Sequence, residues 1–175
     1  AIFFPIFQPA GDFVADQAPG VSGLDGVVLL GADGLQVQTF MELPQADGMY
    51  LSGPDLRYGT NTNQSTGVTA EKFLADYEAN NGNAPEAPFW AHSYDAATLL
   101  LEAIKAASHV HDGNLEIDRA GVREYLDNLS GYEGIIGTLS CDDFGDCGAQ
   151  RITVVQNDSG DFAGSIENVV FSFAP

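Results

Sequence analysis

Short, continuous apolar runs alternate with helical patterns over the first third of the chain. The runs AIFF at the N-terminus, VVLL at 27–30 and GMYLSGP at 48–54 are each followed by Gly, Pro or Asp, which is typical of strands covered on both faces. Asp12 is expected to cap a helix after the first run, and residues 37–43 show a shorter helical pattern. This alternation of strand and helix predicts a parallel α/β sheet.

The pattern changes after Gly53-Pro54. The polar, turn-rich segment 55–67 predicts a crossing connection. Three helices follow: Thr69 caps the first, Pro88 can occupy the first turn of a long second helix, and Asp118 caps the third. The apolar stripe expected on the long helix is Tyr94, Ala97, Leu101 and Ile104. HVHDGN predicts a connector between helices, and GIIGTLSC, ITVVQ and NVVFSF predict further strands.

The charge balance excludes some classes of partner. The 175 residues include 25 acidic and 6 Lys or Arg residues, for a net charge of −19. Such a surface repels phosphate backbones and anionic membranes, so nucleic-acid binding is not expected. The sequence has no phosphate-binding loop and no nucleophile elbow, so neither a cofactor nor catalysis is expected.

Two cysteines flank a tight acidic segment, SCDDFGDCG. Cys141 and Cys147 are well placed for a local disulfide, which would stabilise the fold by about 2 kcal/mol and indicate an oxidising compartment. The alternative is two unrelated buried thiols. A zinc site would need further ligands nearby, and none follow these cysteines.

Several pieces, in order, resemble the C-terminal half of the type I periplasmic binding proteins. These are AIFFPIFQPAGDFVADQA, GLDGVVLLGADGL, GMYLSGP, SYDAATLLLEAIKAA and GYEGIIGTLSCDDFGDCGAQRITVVQ. The branch they resemble contains the branched-chain amino acid and amide receptors of ABC transporters. The resemblance covers nearly the whole chain and implies an α/β fold with parallel sheets flanked by helices, in a partial two-lobe architecture.

The resemblance also implies how the chain is divided. Residues 1–54 would belong to the second lobe, 55–150 to the first lobe with its hinge crossings, and 151–175 would return to the second lobe. Ligand would lie between the lobes, which close by a hinge motion. The chain opens on a predicted core strand without a signal peptide, so we expect a fragment of a longer precursor that has one. The N-terminal part of the receptor would be a partner, and the fragment alone could self-associate.

The implied function is that of an extracytoplasmic solute-binding receptor of an ABC importer, periplasmic or extracellular, which catalyses nothing. Its ligand would be a small amino acid, leucine-like, or an amide, delivered to an ABC permease. Two alternatives stay open. One is a ligand-sensing domain of the same fold in a receptor or regulator, and the other is an α/β enzyme whose catalytic part lies elsewhere.

Three residues are the main candidates for ligand contact. Asp33 follows a predicted strand between two glycines, at the edge of the sheet where ligands of α/β proteins bind. The resemblance implies that its carboxylate meets the ligand's ammonium group, whereas the sequence by itself also fits a plain Asp-Gly turn. The resemblance places aromatic pocket residues at Phe7 and Phe89, either of which could instead be core. Gln8 is a further candidate.

Other aromatic residues and the histidines are expected to have structural roles. Phe3 and Phe4 are assigned to the core and Trp90 to packing. His92 is expected to contact Phe89 without touching the ligand itself. His109 and His111 form an H-x-H beside Asp112 and could bind a metal, but they lie in the predicted connector, so no metal is expected.

Overall fold

The computed structural model describes residues 1–149 and 151–174. Its α-helices are α1 (Ala10–Gln17), α2 (Gln38–Met41), α3 (Ala70–Asn81), α4 (Trp90–Ala106), α5 (Arg119–Asp127) and α6 (Phe162–Glu167). Its strands are β1 (Ile2–Phe4), β2 (Leu29–Gly31), β3 (Tyr50–Pro54), β4 (Ser108–His111), β5 (Asn114–Ile117), β6 (Tyr132–Gly134), β7 (Gly137–Cys141), β8 (Cys147–Gly148), β9 (Ile152–Gln156) and β10 (Val169–Phe173). Short 3₁₀ turns occupy Ala18–Gly20, Asp33–Leu35 and Pro44–Ala46. Within the described residues, no helix is long and apolar enough to cross a membrane.

The chain divides into two compact units, each described here by itself. Residues 1–57, 86–88 and the C-terminal segment from Arg151 form unit 1, and Tyr58–Pro85 and Phe89–Ala149 form unit 2. The assignment of 1–54, 55–150 and 151–175 to the lobes of a receptor stays a prediction.

Unit 1 is a five-stranded sheet in the order β1-β2-β3-β9-β10. β1, β2 and β3 run parallel, while β9 is antiparallel to both β3 and β10. The parallel strands are connected through α1 and α2, as the alternating pattern predicted. The α/β class and the parallel sheet with flanking helices are therefore confirmed, with an antiparallel pair added at one edge.

The core of unit 1 centres on Leu35, which is fully buried at the end of the turn that follows β2. A Cβ placed on Gly31 would lie 3.1 Å from Cδ1 of Leu35 and 2.7 Å from Cδ2 of Leu51, so Gly31 allows the strand to approach both side chains. The other members of this core are Phe4, Ala15, Ala18, Leu29, Phe40, Met41, Ala46, Met49 and Val155.

Two expectations about the N-terminal segment are wrong. Phe4 is buried, but Phe3 is 57% exposed and does not belong to the core. β1 is an edge strand, and successive side chains of a strand point to opposite faces, so only one face of β1 is covered within the described residues. Asp12 is not the N-cap of α1, because the helix begins at Ala10 after Pro9 and Asp12 lies in its first turn.

The long helix α4 of unit 2 buries a different face from the predicted one. Its buried residues are Ala91, Asp95, Thr98, Leu99 and Ala103. Leu101 is 55% exposed, and Ala97 is exposed as well. The buried face includes two polar side chains because other parts of unit 2 satisfy them. Asn63 donates to Asp95 (2.9 Å) and to Thr98 (2.8 Å), and the backbone of Ile136 donates to Asp95 (2.9 Å). Pro88 lies outside the helix, since Phe89 is its N-cap.

The predicted connector HVHDGN is part of a β-hairpin. β4 and β5 pair in an antiparallel register with His111 opposite Asn114, and Asp112 and Gly113 form the turn with φ of 49° and 78°. Positive φ at both turn positions favours an Asp-Gly pair, whose turn matches the twist of the flanking strands. The dipeptide was therefore a hairpin signal that the connector interpretation overlooked.

The rest of unit 2 packs beside this hairpin and α4. β6, β7 and β8 form a three-stranded antiparallel sheet. A small core of Leu99, Tyr132 and Leu139 is covered by residues of α5 and of the segment after it. Thr69 and Asp118 cap α3 and α5 as expected, accepting from the backbone N–H groups of Lys72 (3.2 Å) and Ala120 (2.9 Å).

Candidate functional site

Asp33 lies at the carboxyl end of a parallel strand of unit 1. It follows β2 and opens the 3₁₀ turn Asp33–Leu35, and its side chain is half-buried. One carboxylate oxygen accepts a hydrogen bond from the backbone N–H of Gly34 (3.0 Å). In the described part of the chain, no Lys, Arg or His forms an ion pair with it. This carboxylate can therefore accept hydrogen bonds from a cationic ligand group.

The ring of Phe7, from the segment after β1, packs against the same turn. A Cβ built on Gly34 would be 2.6 Å from Cδ1 of Phe7 and 2.7 Å from Cε1, so the ring packs directly against the glycine next to Asp33. The side chain is nevertheless 70% exposed. An exposed aromatic ring beside an unpaired carboxylate gives this end of the sheet both an apolar and an acidic surface. Gly34 allows the contact through its lack of a side chain.

Gln8, the further candidate, has its amide engaged by other side chains. Its Nε2 donates to both oxygens of Asp12 (3.0 and 3.2 Å), and its Oε1 accepts from the hydroxyl of Thr39 (2.6 Å). These bonds join the segment after β1 to α1 and to α2. A direct contact between Gln8 and a ligand would have to compete with them.

Phe89 belongs to unit 2, at the N-cap of α4. It is 36% exposed and meets the ring of His92 edge-on, with centroids 5.9 Å apart. Burial lowers the pKa of His92, against the opposing charge of Asp95, so the ring is neutral at pH 7. Trp90 is a packing residue, stacked on Phe73 (5.0 Å) and edge-on to Tyr58 (5.3 Å).

The other histidines are paired with a carboxylate across the β4–β5 hairpin. His109 Nε2 lies 3.1 Å from one oxygen of Glu116, and His111 Nδ1 lies 3.4 Å from the other. Among residues 1–149 and 151–174, no group of three or more His, Cys, Asp or Glu residues is arranged to hold a metal ion.

Cys141 and Cys147 form the expected disulfide. It links paired positions of β7 and β8, and one oxygen of Asp142 accepts from the N–H groups of Phe144 and Asp146 (2.9 Å each). The carboxylate of Asp142 therefore helps to shape a closed hairpin turn.

Two residues near Asp33 were not singled out from the sequence. Gln36 ends the turn that Asp33 begins, and its side chain is buried at 2% exposure. Its amide packs against Gly53 of β3, where an added Cβ would lie 3.0 Å from Cδ of Gln36 and 3.5 Å from Cβ of Asp33. The sequence signal for a buried side chain here was Gly53, near the end of β3. A glycine within a strand often marks a close approach by another group, and β3 lies beside β2, which Asp33 follows.

Comparisons with known proteins show a consistent set of solved structures. No family model matches the sequence, and no curated protein does. A leucine-binding protein from Thermotoga maritima is 22% identical with a TM-score of 0.66, and the alignment covers 99% of this chain and 44% of that one. A Desulfitobacterium hafniense ABC transporter substrate-binding protein in complex with Leu is 20% identical (TM-score 0.60), covering 91% and 41% of the two chains.

A third structure is a solute-binding protein of an ABC transporter from Rhodopseudomonas palustris in complex with 3,4-dihydroxybenzoic acid. It is 19% identical with a TM-score of 0.61, and the alignment covers 98% of this chain and 43% of that one. The chain thus spans less than half the length of each of these structures, which are a leucine-binding protein and two binding proteins of ABC transporters. This chain therefore has part of the fold of the type I periplasmic binding proteins.

Proposed function

We propose that this chain is the C-terminal part of an extracytoplasmic solute-binding receptor of an ABC importer, and that Asp33 contacts the ligand. The observation that carries the proposal is the unpaired, half-buried carboxylate of Asp33 at the carboxyl end of β2, with the Phe7 ring packed on the next residue. Ligands of α/β folds bind at this end of the strands. The solved structures with this fold are binding proteins, two of them in complex with small ligands.

The charge of Asp33 favours one class of ligand. A carboxylate without a cationic partner attracts an ammonium group and repels a ligand that carries only a carboxylate. A charge-assisted hydrogen bond is about twice as strong as a neutral one. We therefore favour a leucine-like amino acid, or an amide that donates through its N–H, over the aromatic acids that some proteins of this fold bind.

The remaining parts of the proposal concern partners and location. The receptor's N-terminal part would supply further ligand contacts, and Phe89 of unit 2 would add an aromatic surface. The loaded receptor would deliver its ligand to an ABC permease without chemical change. The disulfide between Cys141 and Cys147 supports a periplasmic or extracellular location, because such bonds persist in oxidising compartments.

Calorimetry on the intact receptor with L-leucine, other amino acids, short amides and 4-hydroxybenzoate tests the function. An Asp33→Asn substitution keeps the size of the side chain but removes its charge. We expect it to weaken binding of an amine-bearing ligand at least tenfold, or about 1.4 kcal/mol, and to leave the melting temperature nearly unchanged.

Asp16→Asn is the matched control, because Asp16 is an exposed carboxylate on α1 of the same unit. It should bind as the wild type does. Unchanged affinity in Asp33→Asn would remove Asp33 from the site, and a receptor that bound none of these compounds would argue against the function itself.

A further inference from the structure

Gln36 carries two buried polar atoms that the fold does not use. Both Nε2 and Oε1 are inaccessible to solvent and have no hydrogen-bond partner among residues 1–149 and 151–174. An amide left in this state costs about 1–3 kcal/mol, and more than nine in ten buried polar groups in native proteins are paired. The position therefore calls for a partner outside the described chain.

Other buried amides of this protein do have structural bonds. Asn157 donates to the carbonyls of Met41 (2.8 Å) and Ala46 (2.9 Å), although its Oδ1 has no partner among the described residues. Asn63 donates to Asp95 and Thr98. Each of these bonds joins segments that are distant in sequence. Gln36 joins no segments in this way, so its amide is not explained as a cross-link of the fold.

The surroundings of Gln36 connect it to Asp33. Both residues belong to the one turn after β2, and the backbone N–H of Gln36 donates to the carbonyl of Asp33 (3.0 Å). Both side chains lie against Gly53, which leaves room for the amide because it has no Cβ. The side chain of Asp33 is half-buried, and that of Gln36 is buried.

We propose that Gln36 is a specificity-determining residue of the ligand site, and that its amide binds the ligand's polar head group through one ordered water. An amide offers a donor and an acceptor together, which suits a head group that carries both an ammonium and a carboxylate. Neither amide atom is accessible to water in the described chain, so the side chains of Asp33 and Gln36 must shift to admit the water. A buried water needs about two to four polar partners. Asp33, Gln36 and the ligand provide them. This inference rests on the proposed function.

The test is Gln36→Met in the intact receptor, read out by both stability and binding. Methionine keeps the length of the side chain and removes both unpaired polar atoms. We expect the melting temperature of the ligand-free protein to stay the same or rise, because no structural hydrogen bond is lost. We expect the affinity for L-leucine to fall about fivefold or more, since the bridging water loses a partner.

Gln38→Met is the matched control, because Gln38 is an exposed glutamine on the neighbouring helix α2, and its side chain donates to Glu42 (2.7 Å). It should leave affinity unchanged. Combining Gln36→Met with Asp33→Asn gives a second measurement. If both residues act on one head group, the two losses of affinity will not add.

Three results would overturn the inference. The first is a fall of more than about 3 °C in the melting temperature of Gln36→Met. The second is an affinity of Gln36→Met for L-leucine within about twofold of the wild-type value. The third is that the losses of affinity in the double variant add. A wild-type receptor that binds none of the tested solutes fails the proposed function as well. The two failures are thus distinguishable, because the loss of Gln36 alone is judged against a wild type that binds.

Discussion

Asp55 is the most strongly paired carboxylate of unit 1. Its side chain is 5% exposed. It accepts two hydrogen bonds from the guanidinium of Arg57 (2.8 and 3.1 Å), one from the backbone N–H of Arg57 (3.1 Å) and one from Arg151 (3.0 Å). Burial by itself would raise the pKa of Asp55, but the hydrogen bonds and charges of the two arginines outweigh it and hold the pKa below the ordinary value of 3.8. The cluster joins the end of β3 to the start of β9.

This lowered pKa makes part of the stability of unit 1 sensitive to acid. The unfolded chain binds the proton more readily than the folded one, so the contribution is present above the ordinary pKa near 4 and is lost as pH falls through the folded pKa. Asp55→Asn should lower the free energy of unfolding by about 2 kcal/mol at pH 7, less than for a fully buried pair because both arginines are partly exposed.

Urea unfolding of the wild type and of Asp55→Asn between pH 7 and pH 2.5 measures the effect. The difference in the free energy of unfolding between the wild type and Asp55→Asn should be constant down to about pH 5 and shrink below pH 4. Asp25→Asn, an exposed carboxylate of the same unit, should show no such difference. A difference for Asp55→Asn that does not change with pH would show that its ionisation does not contribute.

Hydrogen bonds to a buried carboxylate connect helix α4 to the rest of unit 2. Asp95 is fully buried and holds two donors, the amide of Asn63 and the backbone N–H of Ile136, both at 2.9 Å. Gly134 makes room for the carboxylate, since an added Cβ would lie 2.8 Å from Cγ of Asp95. Three stretches of unit 2 therefore meet at one side chain.

Asp95→Ala should be among the most destabilising single changes in unit 2. It leaves two buried donors without an acceptor, so we expect the free energy of unfolding to fall by about 3 kcal/mol. Thermal or urea unfolding checks this, with Asp127→Ala as the control because Asp127 is exposed on α5. A loss in the free energy of unfolding below about 1 kcal/mol would mean that the hydrogen bonds of Asp95 contribute little to stability.

The same helix shows where sequence reasoning fails at this scale. The repeated leucines of α4 fit more than one face, and the sequence favoured a stripe through Leu101, which is exposed. The true face contains Asp95 and Thr98, whose burial depends on Asn63, a residue 32 positions away from Asp95. A local pattern cannot reveal a hydrogen bond made by a distant segment.

The candidate site was predictable to a similar extent. An apolar run followed by Gly-Ala-Asp-Gly places Asp33 at a strand end, and the structure agrees with that placement. Gln36 has no comparable local signal, because its burial is caused by Gly53 on a different strand. The five-strand order of unit 1 likewise required the pairing of β3 with β9, which are about a hundred residues apart.

Over the whole molecule, negative charge far exceeds what local pairing neutralises. The chain has 25 acidic residues and 6 Lys or Arg, and four of those six form ion pairs in the described residues: Arg57, Arg151, Lys72 and Lys105. Most carboxylates of the described residues therefore have no Lys or Arg partner. Such self-repulsion opposes the compact state and is screened by salt.

Raising NaCl from about 10 to 150 mM shortens the Debye length from about 30 to 8 Å. We therefore expect the melting temperature, followed by circular dichroism, to rise by roughly 3–6 °C. A variant with Glu71→Gln, Glu78→Gln and Asp127→Asn, all exposed positions, should start higher and respond less, because it carries less repulsion to screen. A melting temperature that stayed constant or fell over this range would mean that attractive pairs such as Asp55 with its arginines outweigh the repulsion among the remaining carboxylates.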